Sequence, residues 1–296
     1  MERELWRWVT WGLKRLPRWR PRGAVYDNRC VLAALLWAAL HDRSVSWACR
    51  RDSWPVQAWR RCLPDQSTMS RRLRDPRVIE DLRALVRILQ RRLGADPDGT
   101  LLVDGKPLAV SRFSADPDAR PGWGAGGYGV GYKLHALIDS LGRLLAWEVE
   151  PMNAAESVVA RDLIEQAAAH GALPESGVLL GDASYDSNPL HAAAHERGLR
   201  LIAPRRKAGR SLSTSHRQHP GRVASIALTE RDVAMALAVR LQRRAVERYF
   251  GTLATWGGGL FALPAWARRR HRVRCWVAAK LALNAARHAL RSSLAA

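Results

Sequence analysis

The sequence is short of acid. It carries 27 Asp+Glu against 48 Lys+Arg, all but five of them Arg, for a formal net charge of +21 over 296 residues. That balance excludes an acidic, solvating chain and is the electrostatic footprint of a polyanion binder. Arginine adds a planar fork that grips phosphate in a bidentate way, which lysine cannot do. Cysteine is scarce as well. Cys30, Cys49, Cys62 and Cys275 show no CxxC spacing and no regular framework, so neither a thiolate zinc site nor a disulfide scaffold is expected. His271 and Cys275 stand four apart on an expected helix, but without a second pair they read as packing. Long apolar runs are absent. The longest, Cys30 to Leu40, falls well short of the roughly 20 residues that span a bilayer. The first residues, Met1-Glu2-Arg3-Glu4-Leu5-Trp6-Arg7-Trp8, are charged where a secretory signal would be apolar. The expectation is a soluble protein that stays in the cytoplasm and binds no membrane.

What is present divides into two parts. Hydrophobic residues make up 47%, enough for a substantial core in one large domain or two smaller ones. Residues 1–98 read as helical. Tryptophans alternate with arginines from Trp6 to Trp19, a stripe that could grip DNA or lie on a membrane surface but more often packs on the neighbouring helix. A core helix follows over Cys30 to Leu40. Asp65 reads as the N-cap of a short helix over Gln66 to Arg74, ended by Asp75-Pro76, and Pro76 opens an amphipathic helix. The short helix carries Ser67, Thr68, Ser70, Arg71, Arg72 and Arg74, so the tight pair resembles a helix-turn-helix-like DNA reader, with a solvated basic helix as the alternative. The turn formers from Gly94 to Gly99 mark a boundary.

From residue 99 to 296 the pattern becomes mixed. Strands are expected over Leu101 to Val110, Lys133 to Ile138 and Leu144 to Val149, the first two separated by a Pro/Gly-rich loop from Ser114 to Gly127. Lys133 and His135 alternate on the second strand, which suggests a solvated face. A helix is then expected with Asn153 as N-cap and Glu156 closing a capping box. A strand over Val178 to Gly181 follows, then a helix capped by Asn188 with Pro189 at its first position, then a strand over Leu199 to Ala203. Crossovers of this kind imply parallel neighbours. Residues 204–231 read as a basic loop, and the remainder as helices interrupted at Gly257-Gly258-Gly259 and Pro264. The predicted class is α/β: a ribonuclease H-like mixed five-stranded sheet with flanking helices, preceded by an all-helical region.

Three acids stand out against that frame. Asp104 closes the apolar run Leu101-Leu102-Val103, Asp182 closes Val178-Leu179-Leu180-Gly181, and Glu247 lies on a late helix. Hard oxygen ligands of this kind select Mg²⁺, or Mn²⁺ in its place, over zinc. Two ions can hold the attacking and leaving oxygens of an in-line displacement. Asp139 and Asp186 are turn formers by context. Arg243, four residues before Glu247, shares its helix face and either clamps a phosphate or forms an ordinary ion pair. Lys106 either touches DNA or ends the strand.

The segments Leu102-Val103-Asp104-Gly105-Lys106-Pro107-Leu108, Gly131 to Asp139, Gly181-Asp182-Ala183-Ser184-Tyr185-Asp186 and Arg243-x-x-x-Glu247 resemble bacterial insertion-sequence transposases of the DDE type, over about residues 25–290. The resemblance implies a ribonuclease H-like catalytic domain in which Asp104, Asp182 and Glu247 are catalytic and bind two Mg²⁺. It also implies cutting at the terminal inverted repeats of a mobile element and joining of 3′-hydroxyl ends to target DNA. A homodimer in a synaptic complex and a nucleoid-associated location in a bacterium follow from it. Arg71, Arg72, Arg74, Lys106, Arg240 and Arg243 are the expected DNA contacts. One departure is visible. The signature Tyr-x-x-Arg-x-x-x-Glu-x-x-x-x-x-x-Lys is met at Arg243 and Glu247, but Arg240 stands at its tyrosine and Ala254 at its lysine. The alternatives are a catalytically inactive, transposase-derived DNA-binding protein and a nuclease without strand transfer.

Overall fold

The computed structural model describes residues 2–55, 63–91, 93, 99–111, 113–124, 127–207, 212, 217–255 and 259–295. Cys62, most of the Gly94-to-Gly99 boundary and Gly257-Gly258 lie outside them. Contacts divide the chain into two units: residues 1–94, 109–119 and 252–296, and residues 95–108 and 120–251. The C-terminal helix, assigned on sequence to the catalytic part, thus packs with the N-terminal helices.

The first unit is helical. α1 (Glu2–Arg15), α2 (Asn28–Leu40), α3 (Val45–Ala48), α4 (Gln66–Arg72) and α5 (Pro76–Gln90) are joined by α10 (Arg270–Ala295). Asp27 caps α2 by accepting from the Cys30 amide, and Asp65 caps α4 by accepting from the Thr68 amide. These satisfy amides that a helix start leaves open. Trp6 of the tryptophan stripe packs on aromatics outside it. Trp37 and Trp54 stack at 4.7 Å between ring centroids, and Trp6 meets Trp37 edge-on at 4.8 Å. Gly12 lets α1 lie against α5, since a Cβ there would stand 2.6 Å from Leu85 Cδ1. Cys275 is buried and donates to the Leu73 carbonyl, which settles its expected packing role. Among the described residues no helix is long and apolar enough to cross a membrane.

The second unit is a mixed sheet. β1 (Thr100–Ala109), β2 (Arg120–Gly124), β3 (Gly127–Asp139), β4 (Leu144–Pro151), β5 (Gly177–Leu180) and β6 (Leu199–Ile202) run in the order β2-β3-β1-β5-β6. Long β3 pairs β2 through its first half and β4 through its second, both antiparallel. β1, β5 and β6 are parallel. This is the ribonuclease H-like order with one strand more than expected: β2 forms inside the segment read as a loop. Its glycines and proline lower strand propensity, but the pairing to β3 supplies the ladder.

The helices of this unit are α6 (Glu156–Ala169), α7 (Asn188–Glu196), α8 (Pro220–Arg231) and α9 (Val233–Ala254), the last running on to residue 254. α6 buries Val159, Ala160, Leu163, Ile164 and Ala167 in a core shared with Leu101, Val103, Leu179 and Leu201. Local expectations fail in three places. The N-cap of α6 is Ala155, with no side-chain cap bond, so there is no capping box. Ser187, one residue early, caps α7. The Asn188 side chain instead accepts from the His219 amide and so ties down the loop before α8. α8 itself occupies what was read as loop, because Ser225 both accepts from the Ala203 amide and donates to the Ala203 carbonyl, fixing the helix to the end of β6.

Candidate active site

β1 and β5 are in register through Leu102↔Leu180, so two residues further on Asp104 and Asp182 come side by side. Asp104 does not end its strand, as the apolar run suggested. It sits mid-strand in β1, at the level where shorter β5 has stopped. Its Oδ1 accepts from the Gly105 amide at 2.8 Å. Asp182 lies just past β5 and caps the short turn Ala183–Tyr185, accepting from the Ser184 amide at 2.7 Å.

Arg243 of α9 approaches Asp104 Oδ2 at 4.0 Å. The guanidinium is half-buried, and its Nε is buried without a hydrogen-bond partner. Burial pushes the Asp104 carboxyl up to about 6. The Gly105 amide and Arg243 pull it down, while the negative charges of Asp182 and Glu156 push it further up. A buried carboxylate so poorly compensated is a candidate functional group.

Glu156, at the start of α6, was not foreseen here. Its side chain pairs with Lys133 of β3, and both are largely shielded from solvent at 15% and 10% exposure. Lys133 is packed so closely that a Cβ on Gly105 would stand 2.7 Å from its Cδ and 3.5 Å from Glu156 Oε1. The solvated face expected for Lys133 and His135 is therefore buried. His135, 1% exposed, is held neutral by burial, its imidazole pulled down to about 3. A lysine on so apolar a strand needs a carboxylate opposite it, and that signal was available in the sequence. Tyr185 is also fully buried. Its hydroxyl has no hydrogen-bond partner, and burial together with the nearby Glu156, Asp104 and Asp182 charges raises its pKa well above the phenol range.

Glu247 is four residues past Arg243 on α9 and is exposed. Among the described residues, no three His, Cys, Asp or Glu side chains gather closely enough to hold a metal ion. The structure thus brings together Asp104, Asp182, Glu156 and Arg243 and leaves Glu247 on the surface. Arg240 is exposed, and Lys106 is half-buried, its ammonium pulled down by that burial. In the helical unit Arg71 and Arg74 are exposed, but Arg72 is not. It is buried, donates to the Tyr26 carbonyl and lies over the Trp19 ring at 5.0 Å. Arg72 is a packing residue, and its expected contact with DNA is withdrawn. Of the two acids read as turn formers, Asp139 behaves so and Asp186 pairs with a distant arginine instead. Asp139 closes the β3–β4 hairpin onto Arg143, and Asp186 takes a two-pronged bond from Arg222 of α8.

A family model described as a transposase DDE domain matches residues 96–285. Among solved structures, the fold is similar to that of a piggyBac transposase in a synaptic complex with hairpin DNA. The TM-score is 0.50 at 12% identity, over 98% of this chain and 73% of that one, a likeness of fold alone. No curated protein matches the chain.

Proposed function

Because the chain belongs to the transposase DDE domain family, we propose that it cleaves the terminal inverted repeats of an insertion sequence and joins the freed 3′-hydroxyl ends to target DNA. The observation that carries this reading is the Asp104–Asp182 pair at the edge of β5, with a guanidinium 4.0 Å away. The donor set is a partial fit for a divalent cation, two carboxylates without a third among the described residues. Two carboxylates converge and hard oxygen is the ligand type that Mg²⁺ or Mn²⁺ prefers, but the Arg243 guanidinium beside them would have to move away, since its charge repels a cation. Asp104, Asp182 and Glu247 would hold the ions, which when bound supply activation of the attacking oxygen and stabilisation of the leaving one.

The remaining chemistry belongs to the chain. Glu247 follows Arg243 by about one helical turn, so a shift of α9 by about 6 Å along its axis would be needed to exchange one for the other beside Asp104. Arg243 would then be free to grip a backbone phosphate with its fork. Lys106, Arg240, Arg71 and Arg74 would neutralise further phosphates, setting register without reading sequence. Two DNA ends must meet for strand transfer, so the working species would be a homodimer on DNA.

Labelled duplexes that carry the repeats of the surrounding element, incubated with Mg²⁺, test the proposal. Nicked and joined products are expected from the parent. Asp104→Asn, Asp182→Asn and Glu247→Gln are each expected to bind the duplex and cut nothing. The exposure of Glu247 favours one second reading, a DNA-binding protein without catalysis. A parent that binds the repeats but leaves them intact would establish that reading instead.

A further inference from the structure

The β2–β3 hairpin is built inside out. Its register pairs Gly122 with Gly129, Trp123 with Tyr128 and Gly124 with Gly127. Side chains alternate across a sheet, so the glycine pairs share one face and the aromatic pair lies on the other. On β2 the glycine face is the packed one. A Cβ on Gly122 would stand 2.6 Å from the Met152 carbonyl oxygen, and one on Gly124 would stand 2.7 Å from Pro107 Cβ. No side chain fits on that face of β2, so β2 lies flush on the body of its unit, while a Cβ on Gly127 or Gly129 of β3 would meet nothing within 4 Å. The other face presents Trp123 at 73% and Tyr128 at 66% exposure. The two rings meet edge-to-face at 5.6 Å. Ordinary hairpins bury their aromatics and expose their small residues, and this one does the reverse.

We infer that the Trp123–Tyr128 face is a stacking platform for an unpaired base of the DNA on which the site acts. The inference rests on the DNA-transposase reading and adds the kind of DNA structure recognised. Three features favour a base as occupant. The chain's net charge of +21 draws nucleic acid to its surface. The platform and the site share a strand: Tyr128 precedes Lys133 by five residues on β3, roughly 17 Å at about 3.4 Å per residue. That equals the rise of roughly five nucleotides at about 3.4 Å each, so a strand held near Asp104 would reach the platform a few nucleotides from the reacting phosphate. The third feature is area. Two large aromatic side chains bury about 150–250 Å² each, short of the roughly 800 Å² per partner that a specific protein contact needs, whereas a base requires only a ring face.

The test uses the full chain with two DNA probes of one sequence, a blunt duplex and the same duplex with a short single-stranded 3′ extension carrying 2-aminopurine. Both side chains are exposed, so Trp123→Ala should melt like the parent. It is expected to bind the extended duplex roughly tenfold to a hundredfold more weakly, or about 1.4–2.8 kcal/mol, with affinity for the blunt duplex unchanged. The parent is expected to quench the 2-aminopurine and the variant is not. Trp123→Phe, which keeps a ring, should retain most of the difference. Equal losses on the two probes, or none on either, would overturn the platform while leaving the transposase reading in place. So would an altered oligomeric state of Trp123→Ala in sedimentation with unchanged binding, because the face would then be a contact between copies. A parent that binds neither probe would overturn both.

Discussion

Asp104→Asn should stabilise the protein while abolishing its proposed activity, and the stabilisation should depend on pH in a defined way. Burial lifts the Asp104 carboxyl from 3.8 to about 6, so the fold prefers the protonated form. Below about pH 4 the group is protonated both folded and unfolded, and it costs the fold nothing. Between about pH 4 and 6 the unfolded chain gives up the proton and the folded one resists, so stability falls as pH rises. Above the folded value the full penalty is present. At about 1.4 kcal/mol per pKa unit it comes to about 3 kcal/mol. Asparagine carries no charge to desolvate, so the variant escapes the penalty. At about 2–4 °C per kcal/mol for a domain of this size, it should melt roughly 6–12 °C above the parent at pH 7 to 8. The gap should close as pH is lowered towards 4. Thermal melts of parent and variant in a chelating buffer across that range measure it directly. Arg243→Ala should shift the parent's step to higher pH, because the nearby cation pulls the carboxyl down. Adding Mg²⁺ at neutral pH should raise the parent's melting temperature and leave the variant's almost unchanged. A gap between parent and variant that stayed constant with pH would refute the reasoning.

Other outcomes follow from the same geometry. Glu156→Gln leaves the Lys133 ammonium shielded at 10% exposure without its charge partner, and should cost about 3–5 kcal/mol in a denaturant melt. Replacing both residues with methionine should recover most of that loss. Affinity for any duplex should fall steeply with salt, and Arg71→Gln should flatten the slope of log affinity against log salt by about 0.9. Arg72→Gln, with its side chain turned inward onto Tyr26 and Trp19, should destabilise the helices and leave the slope alone.

Much of the fold was legible because its signals are local. Asp65 and Asp27 cap helices by reaching amides three residues on, and Pro76 starts α5 as its fixed φ allows. The apolar runs before Asp104 and Asp182 gave β1 and β5, and with them the pairing that sets the two carboxylates together. What stayed hidden depends on distant partners. β2 exists because β3 offers it a ladder, not because Arg-Pro-Gly-Trp-Gly favours a strand. α8 is fixed by Ser225 against Ala203, a contact between segments that share no pattern. Arg71 and Arg72 are indistinguishable in sequence, yet the helix turns one to solvent and the other onto Trp19. Glu156 resembled a capping residue because its spacing from Asn153 is that of a capping box. Its real partner, Lys133, lies on another strand.

The aspartates of this unit differ in how far the fold compensates their charge. Asp139 accepts from the amides of Leu141 and Arg143 and from the Arg143 guanidinium, all within 3.1 Å. Asp186 takes both prongs of Arg222 at 2.7 Å. In each case donors from the surrounding chain close on both carboxylate oxygens, so the charge is compensated where it stands. Asp104 receives one bond, from the amide of its own neighbour. Its other oxygen stands 4.0 Å from Arg243, outside hydrogen-bonding reach. Asp182 likewise receives a single bond at one oxygen, from Ser184. Each of these two carboxylates has fewer donors than Asp139 or Asp186, and the two lie next to each other. The fold had arginines and amides enough to satisfy Asp139 and Asp186, so scarcity of donors does not explain the difference. Coordination left open on adjacent carboxylates is what a site needs if a cation from solution is to complete it.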